Sequence, residues 1–447
     1  MSTEELKHAG GYRIQKCKLT SSSGLVFPDF EKVVTGINIF ENIFTNALSG
    51  TVEVVDTANL PTNMPLTGQD FLELKLVTPG LDDEPIVNHV FCINQITVRT
   101  EVSVGSQFYL LSIVTPELLR SNRTRVSASY SDTNSNIVDK VLKDKQLLGS
   151  TKKIELENTS GNRRHIAPNI RPFDFIKNLT RESISAVSSS SPHYMFYENC
   201  RGFNFVTLDS LYNKPVVAEF ETQDKGLIDS YGKVDVEADL KNILSFSISS
   251  TQDTLIASRG GMLSSKLTVY NIFTKSYKNY THNYFRDFKK YGRIDDNPIY
   301  NNTKIDEQGN TIADFPNANI NLHPTSNDGG LDVSHDGSFA DNQSENWLLS
   351  LRSKLVEMSL GMSLEMIVHG RANLAVGDKI NLALPVAGKT DKGEEIDKVY
   401  EGDFLVTQLR HQFGRAPEVH MIHMSVVKDG IPKPHQIINE VVEPKLS

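Results

Sequence analysis

Val52-Glu-Val-Val-Asp-Thr-Ala-Asn-Leu60 stands near the start of the chain, and Leu364-Glu-Met-Ile-Val-His-Gly-Arg-Ala-Asn-Leu374 stands near its end. Each begins with the apolar–polar alternation of a strand that buries one face. Gly68-Gln-Asp-Phe-Leu-Glu-Leu-Lys-Leu76 follows the first, and Gly377-Asp-Lys-Ile-Asn-Leu-Ala-Leu384 follows the second. Later, Phe91-Cys-Ile-Asn-Gln-Ile96 matches Phe404-Leu-Val-Thr-Gln-Leu409, and each opens a β-hairpin. Three matches in one order identify an internal repeat. Its unit is strand, Gly-Asp turn, strand, then hairpin, the making of a small antiparallel barrel.

Two such units per chain have a geometric consequence. Three chains around an axis present six similar units, and a ring that closes leaves no free strand edge to aggregate. The repeat therefore makes a trimeric pseudo-sixfold ring sensible.

The rest of the chain sets bounds on this reading. It has 447 residues, 46 Lys plus Arg against 55 Asp plus Glu, and a net charge of -9. The length suits several domains, and the absence of a basic excess disfavours nucleic-acid binding as the main task. No run of 18 apolar residues exists, so no transmembrane helix and no membrane insertion are expected. The opening MSTEELKHAGGYRIQK lacks the apolar core of a secretory signal. Cys17, Cys92 and Cys200 are far apart and odd in number, which argues for buried thiols in a reducing compartment.

The pattern predicts a mainly β, multidomain (α+β) chain. Residues 1–118 form a first β-barrel domain and 119–235 an α+β domain. The latter has one helix over Asn136–Leu148 and another starting at Pro172, whose stripe is Phe173, Ile176, Ile184 and Val187. Residues 236–290 and 345–430 form a second, discontinuous barrel domain interrupted by an Asn/Asp/Gly-rich insertion at 291–344. A helix with Trp347, Leu348, Leu351, Leu355 and Met358 on one face precedes its later strands. Residues 431–447 read as an extended C-terminal arm, stiffened by Pro432, Pro434 and Pro444.

The sequence offers little chemistry. There is no Gly-x-Ser-x-Gly elbow, no P-loop and no His-Glu-x-x-His, so no catalytic residue, cofactor site or metal site is assigned. His420 and His423 point to opposite faces of one strand, while His411 can face one of them across the hairpin. Asp328, Asp332, Asp336 and Asp341 lack the ligand spacing and closing Glu of an EF-hand loop. The aromatic run Tyr270, Phe273, Tyr277, Tyr280, Tyr284, Phe285 and Phe288 is interleaved with lysines and reads as packing rather than base stacking.

The closing block Met366-Ile-Val-His-Gly-Arg-Ala-Asn-Leu-Ala-Val-Gly-Asp-Lys-Ile-Asn-Leu-Ala-Leu-Pro385 resembles the tail-tube-like β unit of baseplate hub proteins from contractile-tailed phages. Arg171-Pro-Phe-Asp-Phe-Ile-Lys-Asn-Leu179, Tyr194-Met-Phe-Tyr-Glu198 and Gly202-Phe-Asn-Phe-Val-Thr-Leu-Asp-Ser-Leu211 are similar to the α/β domain of T4-like hub subunits. The resemblance implies a non-enzymatic virion protein of the tail baseplate, assembled in the host bacterial cytoplasm. It implies a homotrimer that adapts the sixfold tail tube protein to the threefold central spike protein. DNA passes through its lumen without specific binding, and wedge or peripheral baseplate proteins are further partners. Two alternatives stand beside this reading: a tail-associated enzyme degrading cell wall or glycan, and the hub of a bacterial contractile injection system.

Overall fold

The computed structural model describes residues 8–434 apart from 65, 67, 82–83, 189–190, 223–234, 251–252, 273, 326–343, 386–396 and 398. The fold is mainly β, with 44% strand and 21% helix. The first unit comprises β1 (Arg13–Thr20), β2 (Val26–Phe27), β3 (Val34–Asn42), β4 (Ser49–Asp56), β5 (Asp70–Val77), β6 (Val87–Ser103) and β7 (Ser106–Val114). Its strands alternate as the sequence demands: Val52 and Val54 are fully buried while Thr51 and Glu53 face the other way. Leu72, Leu74, Leu76, Phe91, Tyr109 and Leu111 complete one apolar core.

The middle block holds β8 (Ser129–Asp132), β9 (Ile154–Leu156), β10 (Arg163–Ile166), β11 (Tyr194–Asn199) and β12 (Gly202–Thr207). Two helices cover them. The first, Asn134–Lys143, is capped by the Thr133 hydroxyl and buries Ile137, Val138, Val141 and Leu142. It stops short of the expected Leu148 because Asp144 leaves the helical region and Gly149, at φ 54°, returns its N–H to the Asp144 carbonyl. The second helix starts at Pro172 as expected but ends at Arg181, not near Val187. Ser183 Oγ donates to the Leu179 carbonyl and Asn134 Nδ2 donates to Ser183 Oγ, so side chains take over there. Ile184 and Val187 consequently leave the stripe, and Val187 is 72% exposed.

The second unit comprises β13 (Val216–Glu221), β14 (Ile243–Ser250), β15 (Ser264–Asn271), β16 (Ser276–Asn283), β17 (Ile320–Thr325), β18 (Met362–His369), β19 (Lys379–Ala383), β20 (Gly402–Arg415) and β21 (Glu418–Lys428). Strands β15, β16 and β17 form a separate three-stranded sheet. The remainder repeat the first unit. Neighbours in the first unit run β3-β4-β7-β6-β5-β1, and in the second β14-β18-β21-β20-β19-β13. Even the irregularities recur: a bulge falls between Ile93 and Gln95 in β6 and between Val406 and Gln408 in β20. Another falls after Val34 in β3 and after Ile243 in β14. One pairing departs, since β1 meets β5 antiparallel whereas β13 meets β19 parallel.

The two units do not separate into closed barrels. They fuse into one 13-stranded sheet, because β20 outruns β19 and its far half pairs antiparallel with β3. This seam matches Gln408 with Asn42 at one end and Gly414 with Gly36 at the other. Phe413 of the second unit thereby enters the core of the first, edge-on to Tyr12 at 5.1 Å between centroids. Full burial of such a ring is worth about 1.5–3 kcal/mol.

The expected insertion is described over 291–325 and at 344, and its first part docks on the second unit. Arg293 Nη1 reaches both Glu357 oxygens at 2.7 and 2.8 Å, and Lys354 bonds Asp429. Lys428 pairs with Asp295 at 2.9 Å, and the Ile431 N–H donates to the Asn297 carbonyl. Buried cations and carboxylates hold this segment because each charge finds a partner there. Trp347 packs within the chain, its Nε1 donating to the Arg181 carbonyl at 3.0 Å. The loop aspartates Asp328, Asp332, Asp336 and Asp341, and the arm beyond 434, lie outside the described residues.

The seam also meets the middle block at a buried polar junction. Glu41 of β3 accepts from the Cys200 N–H and the Val376 N–H, both at 2.8 Å. Its Oε1 lies 3.6 Å from His411 Nε2, and His411 Nδ1 meets His420 Nε2 at 3.0 Å. The His420 ring lies so close to Gly370 that a Cβ there would sit 2.0 Å from it. Burial would raise the Glu41 pKa, but His411, the Cys200 contact and the Val376 N–H hold it below the ordinary carboxylate value. Burial, then the His411 charge, drive His420 well below the ordinary histidine value.

Two outcomes follow for stability. Glu357→Gln leaves buried Arg293 and Lys354 to share the single carboxylate of Asp429 and lowers stability by about 3–5 kcal/mol in urea unfolding, whereas removing the exposed Lys143–Asp139 pair shifts the midpoint little. The histidines act through pH. His193 and His420, each 1% exposed, have depressed pKa values, so the unfolded chain binds protons that the folded chain refuses. Stability is full above the unfolded value of 6.5 and falls as pH drops below it; the Glu41 contribution is lost only at lower pH, below 4.5. A urea midpoint that holds constant from pH 7 to pH 5 would contradict this assignment.

Candidate functional site

The exposed face of the continuous sheet is the surface that the fold builds with most care. Period-2 alternation places Asn38, Thr51, Glu53, Glu365, Gln408, Arg410, Gln412, His423 and Ser425 away from the two cores. Across the seam, Arg410 donates from Nε and Nη2 to Asn38 Oδ1 at 3.0 and 2.9 Å. Asn38 Nδ2 donates to Thr51 Oγ1 at 3.2 Å, and His423 Nε2 meets Gln412 Oε1 at 2.7 Å. Burial, aided by the Arg410 charge, lowers the His423 pKa and favours the neutral ring. A trough of about 450 Å³ runs over this face beside Phe40, Ser247, Glu365 and Gln408. Phe40, Phe246 and Ile367 share its lining with Glu365, Gln408, Arg410 and His423, which make neither a nucleophile–base pair nor a cluster of cations.

Beneath that face lies the only group among the described residues able to offer three ligand atoms to a metal. Glu41, Cys200 and His411 present an oxygen, a sulfur and a nitrogen within 4.8 Å of one another. Their chemistry favours a packed junction. Burial and the Glu41 charge push the Cys200 thiol well above its ordinary pKa, towards the protonated form that ligates poorly. Both Glu41 oxygens already accept backbone N–H groups. The sequence allows His411 to face His420 or His423 across the hairpin, and the histidine it meets is His420, diagonal to it in the strand register. It did not find Glu41 or Cys200, which lie far away in sequence and carry no local spacing signal.

A second constellation also escapes sequence reasoning. Ser350 Oγ lies 3.1 Å from His193 Nε2, and His193 Nδ1 lies 3.5 Å from Asp209 Oδ1. This is the connectivity of a nucleophile, a base and an orienting acid. Its setting is different. His193 is 1% exposed under the Tyr291 ring at 4.6 Å, and Asp209 Oδ2 accepts the Gly292 N–H. The group ties the middle block to the helix Leu348–Leu360 and to the segment after Tyr291.

The aromatic run divides. Tyr284 and Phe288 are buried with Tyr300, whereas Tyr270 and Tyr277 face each other across β15 and β16, 40% and 69% exposed. Phe273 lies outside the described residues. No helix among the described residues is long and apolar enough to cross a membrane.

No protein-family model matches the chain, and no curated protein matches it. Solved structures do. The tail protein from Neisseria meningitidis MC58 superposes with a TM-score of 0.52 at 12% identity, covering 94% of this chain and 98% of that one. The 43 kDa tail protein of prophage MuSo2 from Shewanella oneidensis gives 0.49 at 10% identity, covering 94% and 100%. A component of the E. coli type VI secretion system gives 0.40 at 10% identity, covering 94% and 79%. At these identities the likeness is one of fold: along nearly its whole length the chain is built as the Neisseria tail protein is built.

Proposed function

We propose that the chain is a structural baseplate hub protein of a contractile phage tail. It acts as a homotrimer that adapts the sixfold tail tube to the threefold central spike and lines the DNA exit channel. The observation that carries this reading is the duplicated unit itself: two copies with one strand order, fused edge to edge in a single sheet. Three chains then offer six such units to a sixfold partner, while the middle block recurs three times and suits a threefold one. The likeness of fold to a tail protein supports the same reading.

On this reading the polar sheet face lines the channel. Glu53 and Glu365 repel phosphate there, and Arg410 keeps its charge but is tied down by two bonds to Asn38, so a duplex slides without being gripped. The buried Ser350–His193–Asp209 group is structural, and the protein is not an enzyme.

Three measurements test this. Mass photometry of the chain shows a species of about 150 kDa, three times 49.9 kDa, that gains further mass with the tube protein and with the spike protein; a strict monomer under all conditions overturns the reading. Purified chain is inert on cell-wall substrate, and hydrolysis abolished by Ser350→Ala would favour the enzyme instead. Reversing Glu53 and Glu365 to lysine together slows DNA ejection, with the effect weakening as salt rises; unaltered ejection kinetics remove the channel assignment.

A further inference from the structure

We propose that residues 437–443 of the chain fill an apolar groove between the helix Leu348–Leu360 and the outer edge of β17 in the same molecule. The groove encloses about 540 Å³, within the 300–1,000 Å³ or so of an ordinary ligand site. Leu267 and Leu349, both buried, form its floor, and Leu348, Leu355 and Val356 line it from the helix. The other wall is β17. Asn321, Leu322 and His323 all line the cavity, although successive side chains of a strand point to opposite faces. The cavity therefore runs along the strand's edge. Among the described residues β17 pairs with β15 alone, so that edge is open, and Ile320 and Leu322 stand 58% and 73% exposed on it. An open edge with apolar side chains is a place where another segment adds.

Charge decides which segment it is. Arg181 and Arg352 line the groove, and among the described residues no carboxylate does. Arg352 Nη1 donates to Asn321 Oδ1 at 2.7 Å, which holds the guanidinium across the groove. The fitting occupant is apolar and carries acids. Residues 437–443 read Ile-Ile-Asn-Glu-Val-Val-Glu, four large apolar side chains with Glu440 and Glu443. Residues 326–343, between β17 and the segment before the helix, are the rival by position. They carry aspartates, but their large apolar residues are only Leu331, Val333 and Phe339 in eighteen positions. They match the charge of the groove and lack the apolar surface to fill it.

Position and reach agree. The described chain ends at Pro434, three residues past Ile431, which is buried in a cluster that Val356 packs against. Asn297 Nδ2 donates to the Ile431 and Pro432 carbonyls and anchors the start of the arm. Val356 also lines the groove, so the arm leaves beside one end of it. From Ile431 to Ile437 an extended chain spans about 20 Å, and the 13-residue helix is itself about 20 Å long. The whole groove is within reach. Arg352 lies one turn from Val356 toward the helix start, and Arg181 lies beyond, where its carbonyl accepts from Trp347 Nε1. Glu440 and Glu443 follow in the same order along the arm, so each meets one arginine. A short tether keeps the arm concentrated at its own groove rather than a neighbour's.

The test uses the full chain and 8-anilinonaphthalene-1-sulfonate, an aromatic anion that brightens in exposed apolar sites and suits this groove in shape and charge. Ile437→Ser, Ile438→Ser, Val441→Ser and Val442→Ser together empty the groove, so dye fluorescence rises several-fold over the wild-type chain with an unchanged circular dichroism spectrum. Adding Leu322→Glu, at a position exposed enough to leave the fold intact, returns the signal to the wild-type level. A synthetic peptide of residues 435–447 does the same by competition. Equal signals from the wild-type chain and the serine variant overturn the proposal, whether both are bright because the groove is open or both are dim because residues 326–343 cover it. A wild-type signal that climbs on dilution gives the groove to the arm of a neighbouring copy and overturns docking within the chain. The inference does not rest on the hub reading, and each of these outcomes leaves that reading standing.

Discussion

The antiparallel pairing of β20 with β3 sets the phase for everything around it. A shift of one residue would exchange the two faces of the sheet. Leu409, His411 and Phe413 would turn outward, and Gln408, Arg410 and Gln412 would enter the core. The bulge at Thr407 places β20 in the phase that its partner requires, and Arg410 bonded to Asn38 fixes the same phase from the solvent side. Pro417 and the β21 return strand then bring His420 against His411, so the hairpin closes over the seam it has just made.

A seam of this kind brings backbone and charge into the interior, and the junction shows how they are accommodated. Glu41 is fully enclosed, yet it collects two backbone N–H groups and a nearby imidazole from three parts of the chain. Replacing such a group with an apolar one of equal volume is often neutral or stabilising, so stability is a weak reason for its presence. Its bonds tie its own first unit to the middle block and to the second unit together. A side chain that is satisfied in only one mutual arrangement of three parts selects that arrangement over looser packings. The Arg293–Glu357–Lys354–Asp429 group does the same for the segment after Tyr291, which has few apolar residues of its own to bury.

The repeat was legible because strand alternation and turn glycines are local signals. Leu364–His369 and Phe404–Leu409 could be matched to their earlier counterparts without knowing what they touch. Pro172 marked a helix start for the same reason. What sequence reasoning missed is non-local. Nothing near Leu409 announces that β20 continues past β19 to pair with a strand far upstream, so the local pattern predicts two barrels where one sheet exists. Ile184 and Val187 fall at helical spacing and so predict a longer helix after Pro172, while the deciding bonds come from Asn134 and Ser183. Glu41, Cys200 and Val376 share no spacing, and only the fold assembles them.

Duplication followed by divergence explains why the two units are not interchangeable. The first unit leads into the middle block through Thr115, which with the Leu48 N–H binds the buried Glu198 carboxylate; Lys152 spans from there to Glu117. At the corresponding point the second unit ends in Lys428 and Asp429, which bind the docked segment instead. Each unit therefore keeps the same sheet and spends its exit on a different attachment. Identical units joined in a ring would carry every attachment at every position. A fused pair carries each attachment once per two units, so the sheet can approximate one symmetry while the parts mounted on it obey another of half the order. That division requires the shared sheet to keep its register under two different loads, and the recurrence of the same bulges in β3 and β14, and in β6 and β20, shows that it does.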